Sequence, residues 1–219
     1  LVSGEPLVGK TSFLRVLAER LAPRGWTVFE ASAVDLMAGQ QWFGQLEGRI
    51  RKAIEELAAA KKIIWYVPDL LSLAQSGTHQ GQSASILDQI LPAVTSGQLV
   101  VWTEATPAGT ARLMQMRPAV RRAFDMIRLE SQTEDEAREM AEALIARLAA
   151  DNGRVIARET AATAVDAASH YLSASSLPGS ALGLIRVTAK RTEQTPKSPL
   201  GPTDVLETLA QMRARWLRD

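Results

Sequence analysis

The 219-residue chain contains no cysteine and two histidines, His79 and His170. Without cysteine there is no disulfide framework, no thiolate nucleophile and no Cys-ligated metal, and two histidines are too few for a histidine metal site. Long hydrophobic runs are missing as well. The longest, Ile63–Val67, is far shorter than the roughly 20 apolar residues that a membrane span needs. Leu1–Val2 is not the core of a signal peptide, because glycine and charge follow at once. Neither sign of charge is in excess. Lys and Arg number 25 against 24 Asp and Glu, a formal charge of +1. No chain-wide basic field therefore exists to hold nucleic acid or an anionic membrane, and only a local patch could do so. The lack of cysteine is compatible with the cytoplasm, which is the expected location. What is present is 46% hydrophobic and 22% charged residues, at a length that buries a substantial core. The chain begins without Met inside an apparent strand, so we expect a piece of something longer.

The first half alternates short apolar runs with longer amphipathic ones, the pattern of strands and crossover helices in a parallel sheet. The expected strands are Leu1–Val2, Thr27–Ala31, Ile63–Val67, Leu99–Thr103 and Met126–Leu129. In Thr11–Leu21 the positions Phe13, Leu14, Leu17 and Leu21 form one stripe, and in Gln45–Ala60 Leu46, Ile50, Ile54 and Leu57 do the same. Ile63–Val67 is continuously apolar, as a strand covered on both faces should be, and is expected near the sheet centre. After Leu129 the strand signal nearly vanishes. Ser131-Gln132-Thr133-Glu134 opens an Ala-rich helix with a polar cap and an acidic first turn, which Asn152–Gly153 ends. Helices at about Thr160–Tyr171, Pro178–Lys190 and Thr203–Trp216 follow, with the proline-rich stretch Thr192–Pro202 as a loop. The expected organisation is an α/β unit over residues 1–130 and a small helical unit over 131–219. Trp65, Trp102 and Trp216 fall at strand or helix positions that suit core or interface packing.

One motif carries chemistry. Gly4-Glu5-Pro6-Leu7-Val8-Gly9-Lys10-Thr11 fits G-x-x-x-x-G-K-[ST] and stands between a strand and an amphipathic helix, the context that the motif requires. Its glycines let the loop curl so that backbone N–H groups and the helix N-terminus face phosphate oxygens. Lys10 reaches the β- and γ-phosphates in this reading, and Thr11 holds Mg²⁺. ATP or ADP with Mg²⁺ is the expected ligand.

Beyond the loop, the chain resembles the first ATPase module of the Clp family of AAA+ unfoldases and disaggregases. Residues 4–11 read GEPLVGKT where that family commonly has GEPGVGKT. Trp42-Phe43-Gly44-Gln45-Leu46-Glu47-Gly48-Arg49 is similar to the aromatic pore-loop segment YRGEFEER. Residues 97–106, GQLVVWTEAT, are similar to GELRCIGATT, Val120-Arg121-Arg122-Ala123-Phe124 to LERRF, and Leu177-Pro178-Gly179-Ser180-Ala181 to LPDKA. The matches occur in family order over almost all of the chain. The main departure is at ILFIDEIHTL, where residues 64–73 read IWYVPDLLSL. Pro68 takes the place of the Asp that steadies Mg²⁺, and Asp69 that of the Glu that polarises the attacking water.

The resemblance implies a P-loop parallel sheet with a helical lid, a homo-oligomeric ring, expected as a hexamer, and a polypeptide substrate or protein partner. It assigns Thr106 to the sensor that orients the γ-phosphate or the lytic water. Arg122 takes the place of the first of two arginines that reach a neighbour's nucleotide; Ala123 replaces the second, and Arg121 is an extra arginine one place earlier. Trp42 and Phe43 take the place of the loop that grips substrate. For each residue a plainer role stands beside this one: a helix cap for Asp69, a strand-end hydroxyl for Thr106, a solvated basic patch for Arg122, and packing beneath the following helix for Trp42 and Phe43. Ser180 removes the family's lysine after Leu-Pro. Losing the Mg²⁺-side carboxylate should slow hydrolysis more than it weakens binding. The expectation is thus a nucleotide-binding module with weak or absent ATPase activity, and the rival reading is an inactive scaffold within a ring. A small-molecule P-loop kinase fits less well, because no acceptor site follows the phosphate loop.

Overall fold

A computed structural model describes residues 1–38, 44–76, 84–153, 155–172, 175–192 and 199–216. The chain forms two compact units, one of Leu1–Gly4 with Lys10–Leu129 and one of Glu5–Gly9 with Glu130–Asp219.

The first unit is built on five parallel strands, β1 (Val2–Ser3), β2 (Thr27–Glu30), β3 (Ile63–Val67), β4 (Val100–Ala105) and β5 (Ile127–Arg128), in the order β2-β3-β4-β1-β5. This is the α/β parallel sheet that the alternation of apolar runs leads one to expect. β3 is interior, between β2 and the central strand β4, and so lies near the sheet centre as expected. Continuous apolarity marks a strand with neighbours on both sides and does not rank it among such strands. Ile64, Trp65 and Val67 are buried, and the Trp65 indole N–H donates to the Ala31 carbonyl at 2.9 Å.

Helix α1 (Lys10–Leu21) buries Leu14, and α3 (Gly44–Ala59) buries Leu46 and Ile50 from its stripe. Short helices α2 (Ala33–Met37), α4 (Leu70–Gln75), α5 (Ile86–Thr95), α6 (Pro107–Met116) and α7 (Val120–Ala123) complete the unit. Four of them start at side-chain caps that the chain supplies locally. Ser32 with Asp35 and Ser85 with Asp88 form reciprocal capping boxes on α2 and α5, Asp69 caps α4, and Thr106 caps α6 ahead of Pro107. Leu70, Leu73, Ile86, Ile90 and Leu113 pack into the core that these helices share.

The second unit is helical: α8 (Glu134–Asn152), α9 (Glu159–Tyr171), α10 (Gly179–Arg191) and α11 (Pro202–Trp216), with one parallel bridge between Ile156 and Leu200. Thr133 and Glu136 form the capping box that opens α8, and Gly153 closes it in the left-handed region at φ 59°. Ala137, Ala141, Ala164, Ala168 and Ala181 are buried, and their small side chains let the helices approach closely around Leu184 and Ile185. Residues 193–198 of the expected loop lie outside the described residues, as does the side chain of Trp216.

Glu5–Gly9 is joined to this unit by backbone bonds. The Ser176 N–H donates to the Pro6 carbonyl and the Gly179 N–H to the Leu7 carbonyl, each at 3.1 Å. Gly179 is required at this approach, because a Cβ there would fall inside the van der Waals envelope of the Leu7 carbonyl oxygen and 2.8 Å from the Leu7 Cβ.

Candidate phosphate-binding site

The glycine-rich loop leaves the C-terminal end of β1. That strand is held on both sides, with Val2 level with Glu104 of β4 and with Ile127 of β5. The Gly4 N–H continues the ladder to the Ala105 carbonyl at 3.2 Å, and the Thr110 hydroxyl donates to Ser3 Oγ at 3.2 Å. Strand end and loop start are therefore fixed by neighbours on β4 and α6. Within the loop Val8 is buried and its N–H donates to the Glu5 carbonyl at 3.3 Å. The turn needs positive φ at two positions, 66° at Leu7 and 102° at Gly9. Glycine takes this freely, whereas a leucine there costs about 1–2 kcal/mol.

Helix α1 opens with Lys10 and Thr11, the last two residues of the motif. Lys10 Nζ donates to the Gly4 carbonyl at 2.9 Å, spanning the mouth of the loop. The Thr11 hydroxyl donates to the Glu104 carboxylate, 2.7 Å from Oε1 and 3.0 Å from Oε2. The Tyr66 phenol donates to the same Oε1 at 2.7 Å. Burial, and after it the hydrogen bond to Glu104, push the Tyr66 phenol far above its usual range, so it stays a donor at any physiological pH. A cavity of about 180 Å³ opens beside these groups, with Thr11, Glu30 and Tyr66 in its wall. A lysine amine and a threonine hydroxyl at the start of a helix, with a carboxylate from the end of β4, fit the donor set that a Mg²⁺–nucleotide requires. The bound group would supply a polarised phosphoryl centre; Lys10 would neutralise its phosphate charge and Thr11 would meet its cation.

Pro68 directly follows β3 and offers no side-chain acceptor. The Asp69 carboxylate caps α4, its Oδ1 accepting from the Leu71 N–H at 3.0 Å and the Ser72 N–H at 3.3 Å. Thr106 follows β4, its Oγ1 accepting from the Gly109 N–H at 3.0 Å. Arg121 and Arg122 are exposed on α7, and Arg186 is exposed on α10. Ser180 is buried, and its hydroxyl has no hydrogen-bond partner among the described residues. Trp42 and Phe43 lie outside the described residues.

Sequence reasoning missed Glu104 and the Tyr66 hydroxyl. It expected β4 to stop at Thr103, whereas the strand continues to Ala105 and carries the carboxylate on its last turn of pleat. A signal was present: a lone acid closes an otherwise apolar strand run, at a place where the similar Clp segment has alanine.

Parallel strands, and a Gly-rich loop that runs from β1 into a helix beginning Lys-Thr, define a P-loop nucleotide-binding module. The model of the AAA family, ATPases associated with various cellular activities, matches residues 1–131, and the chain belongs to that family. Its likeness within the family is to the Clp chaperones. It is 28% identical over 191 residues to the chloroplastic chaperone protein ClpC2 of Arabidopsis thaliana, covering 83% of this chain and 20% of the relative. It is 27% identical over 192 residues to the chaperone protein ClpB of Wolinella succinogenes, covering 84% of this chain and 22% of the relative. The chain thus spans about a fifth of the length of these relatives. Among solved structures, a closed-state reconstruction of Hsp104 with ATPγS and FITC casein superposes with a TM-score of 0.83 at 23% identity, over 96% of this chain and 38% of that one. The Hsp104–ADP complex of S. cerevisiae gives 0.79 at 24% identity, over 97% and 38%. The five-stranded parallel sheet and the helical second unit are the AAA+ fold. Among the described residues no helix is long and apolar enough to cross a membrane.

Proposed function

We propose that this chain is the ATP-binding AAA+ module of a Clp-like protein-remodelling machine, coupling nucleotide state to ring assembly and to work on a polypeptide, with weak or impaired hydrolysis. The observation that carries the reading is the Gly4–Thr11 loop, with Lys10 across its mouth and Thr11 against a carboxylate. ATP or ADP with Mg²⁺ is the ligand of this site, a polypeptide substrate accords with the casein bound in the similar Hsp104 structure, and a cytoplasmic hexamer is the setting of the same proposal. Arg122 is the residue proposed to reach a neighbouring subunit's nucleotide, and Trp42 and Phe43 are those proposed to meet substrate. Impaired hydrolysis is proposed from the end of β3, where Pro68 offers no carboxylate and the Asp69 carboxylate that follows it caps α4, since phosphoryl transfer depends on charge neutralisation and positioning.

A second reading, a nucleotide-bound scaffold without turnover, draws on Asp69. Its Oδ1 is committed to two backbone N–H groups of α4, the duty of a helix cap. In the first reading the same carboxylate also serves hydrolysis, with Thr106 as the sensor.

The experiment is ATP affinity and steady-state turnover on one sample with Mg²⁺, at protein concentrations spanning assembly, for wild type, Asp69→Asn and Asp69→Ala. Asparagine retains the cap and loses the charge. Turnover that rises with concentration and vanishes in both variants makes Asp69 a working carboxylate. Tight binding without turnover in all three leaves the scaffold. Absence of any ATP binding by the wild type refutes both readings.

A further inference from the structure

The chain lacks a carboxylate at the end of β3, yet Thr11 touches one. Val67 of β3 is paired with Thr103 of β4 in parallel register. One residue further along each strand lie Pro68 and Glu104, side by side at the same height. In a parallel pair such residues project to the same face of the sheet. A carboxylate on β4 at this level therefore serves the same space as one at position 68 of β3.

We infer that Glu104 supplies the carboxylate on the Mg²⁺ side of this nucleotide site, in place of the residue that Pro68 removes from β3. The inference rests on the reading of Gly4–Thr11 as a nucleotide loop and goes beyond it by assigning the metal-facing acid. Three features carry it. The Thr11 hydroxyl, which the motif sets aside for the metal, is already bonded to Glu104 at 2.7 Å, so one small cation can meet both groups. The Tyr66 phenol fixes the carboxylate from the β3 side, at 2.7 Å. Glu104 is also half-buried and makes no ion pair among the described residues, being held by two neutral hydroxyls. A partly desolvated carboxylate without a cation is costly, and a divalent ion is the natural complement to it. Tyr66 is a positioning residue: it acts through Glu104 and has no separate role toward the nucleotide.

The test compares the affinity of the full chain for a fluorescent ATP analogue in Mg²⁺ and in EDTA. Its readout is the gain in affinity that Mg²⁺ produces, which is independent of turnover. In the wild type Mg²⁺ should tighten binding at least tenfold. Glu104→Gln should remove about 10–100-fold of apparent metal affinity. Its affinity in EDTA should be unchanged or tighter, because a negative charge near the phosphates has gone. Tyr66→Phe should lose a smaller part of the gain, Glu19→Gln at an exposed position of α1 none, and Pro68→Asp added to Glu104→Gln should restore part. Electron paramagnetic resonance of Mn²⁺ in the ADP complex gives a second readout, in which Glu104→Gln releases Mn²⁺. A Mg²⁺ gain equal in wild type, Glu104→Gln and Glu104→Ala overturns the inference. So does a wild type that binds nucleotide equally with and without Mg²⁺, which would leave the nucleotide reading standing. A wild type that binds in neither condition refutes that reading itself.

Discussion

Replacing Gly179 with alanine should cost more than a helix-favouring substitution normally could. The added Cβ would intrude on the Leu7 carbonyl oxygen and lie 2.8 Å from the Leu7 Cβ and 3.0 Å from its carbonyl carbon. Two of these are backbone atoms, and the carbonyl oxygen is the acceptor of the Gly179 N–H at 3.1 Å. The clash therefore cannot be relieved by a side-chain rotation. Overpacking of this kind costs about 1–3 kcal/mol, and loss of the backbone bond adds roughly 1 kcal/mol. The sum of about 2–4 kcal/mol corresponds to a fall in melting temperature of roughly 4–16 °C for a chain of this size. Gly183, one turn further along α10, is the control. A Cβ there meets nothing within 4 Å, so Gly183→Ala should stabilise by up to about 1 kcal/mol. Leu7→Gly relieves the positive φ and removes the Leu7 Cβ, but leaves the Leu7 carbonyl in place, so it should not rescue Gly179→Ala. The assay is urea or thermal unfolding of the four proteins by circular dichroism. Gly179→Ala as stable as Gly183→Ala would refute the close approach of α10 to Glu5–Gly9.

Three further outcomes are expected. Lys10→Ala should weaken ATP binding by roughly 10–150-fold, the worth of a charge-assisted hydrogen bond, and unchanged affinity in equilibrium titration would refute the phosphate-loop assignment. Asp69→Ala should destabilise by about 0.5–2 kcal/mol while Asp69→Asn stays near wild type, since asparagine also caps α4; equal losses in urea unfolding would exclude capping as the cause. Burial raises the Asp88 carboxyl, but the two Ser85 hydrogen bonds and the Arg117 guanidinium together outweigh it and hold it below its ordinary 3.8. A lowered folded value adds stability that is full above the unfolded value and is lost as pH falls through the folded one. The stability gap between wild type and Asp88→Asn should therefore close below about pH 4, and a gap that widens on acidification contradicts the assignment.

What the sequence made legible follows from how local each signal is. Strand runs, amphipathic stripes, the Thr133 cap and the Gly4–Thr11 loop are each encoded within a few residues, and the elements they mark reappear with ends within two residues of where the pattern puts them. Sheet order is not local, which is why the apolarity of β3 could place it inside the sheet without showing that β4 holds the centre. The short helices α4 and α5 were missed because their starts depend on single caps, Asp69 and Ser85, and because Pro92 interrupts the helical pattern of α5. The site divides in the same way. Lys10 and Thr11 are legible because one motif holds them, while Glu104 meets Thr11 across 93 positions of chain and only the register of β3, β4 and β1 brings them together. This also explains why comparison by position makes the module look poorer than it is. A motif read along β3 finds a proline where a carboxylate should be, but a sheet presents a surface, and the cation's requirement is for an acid at one height on one face. Tyr66 and Glu104 meet that requirement from two strands, and neither is informative without the other.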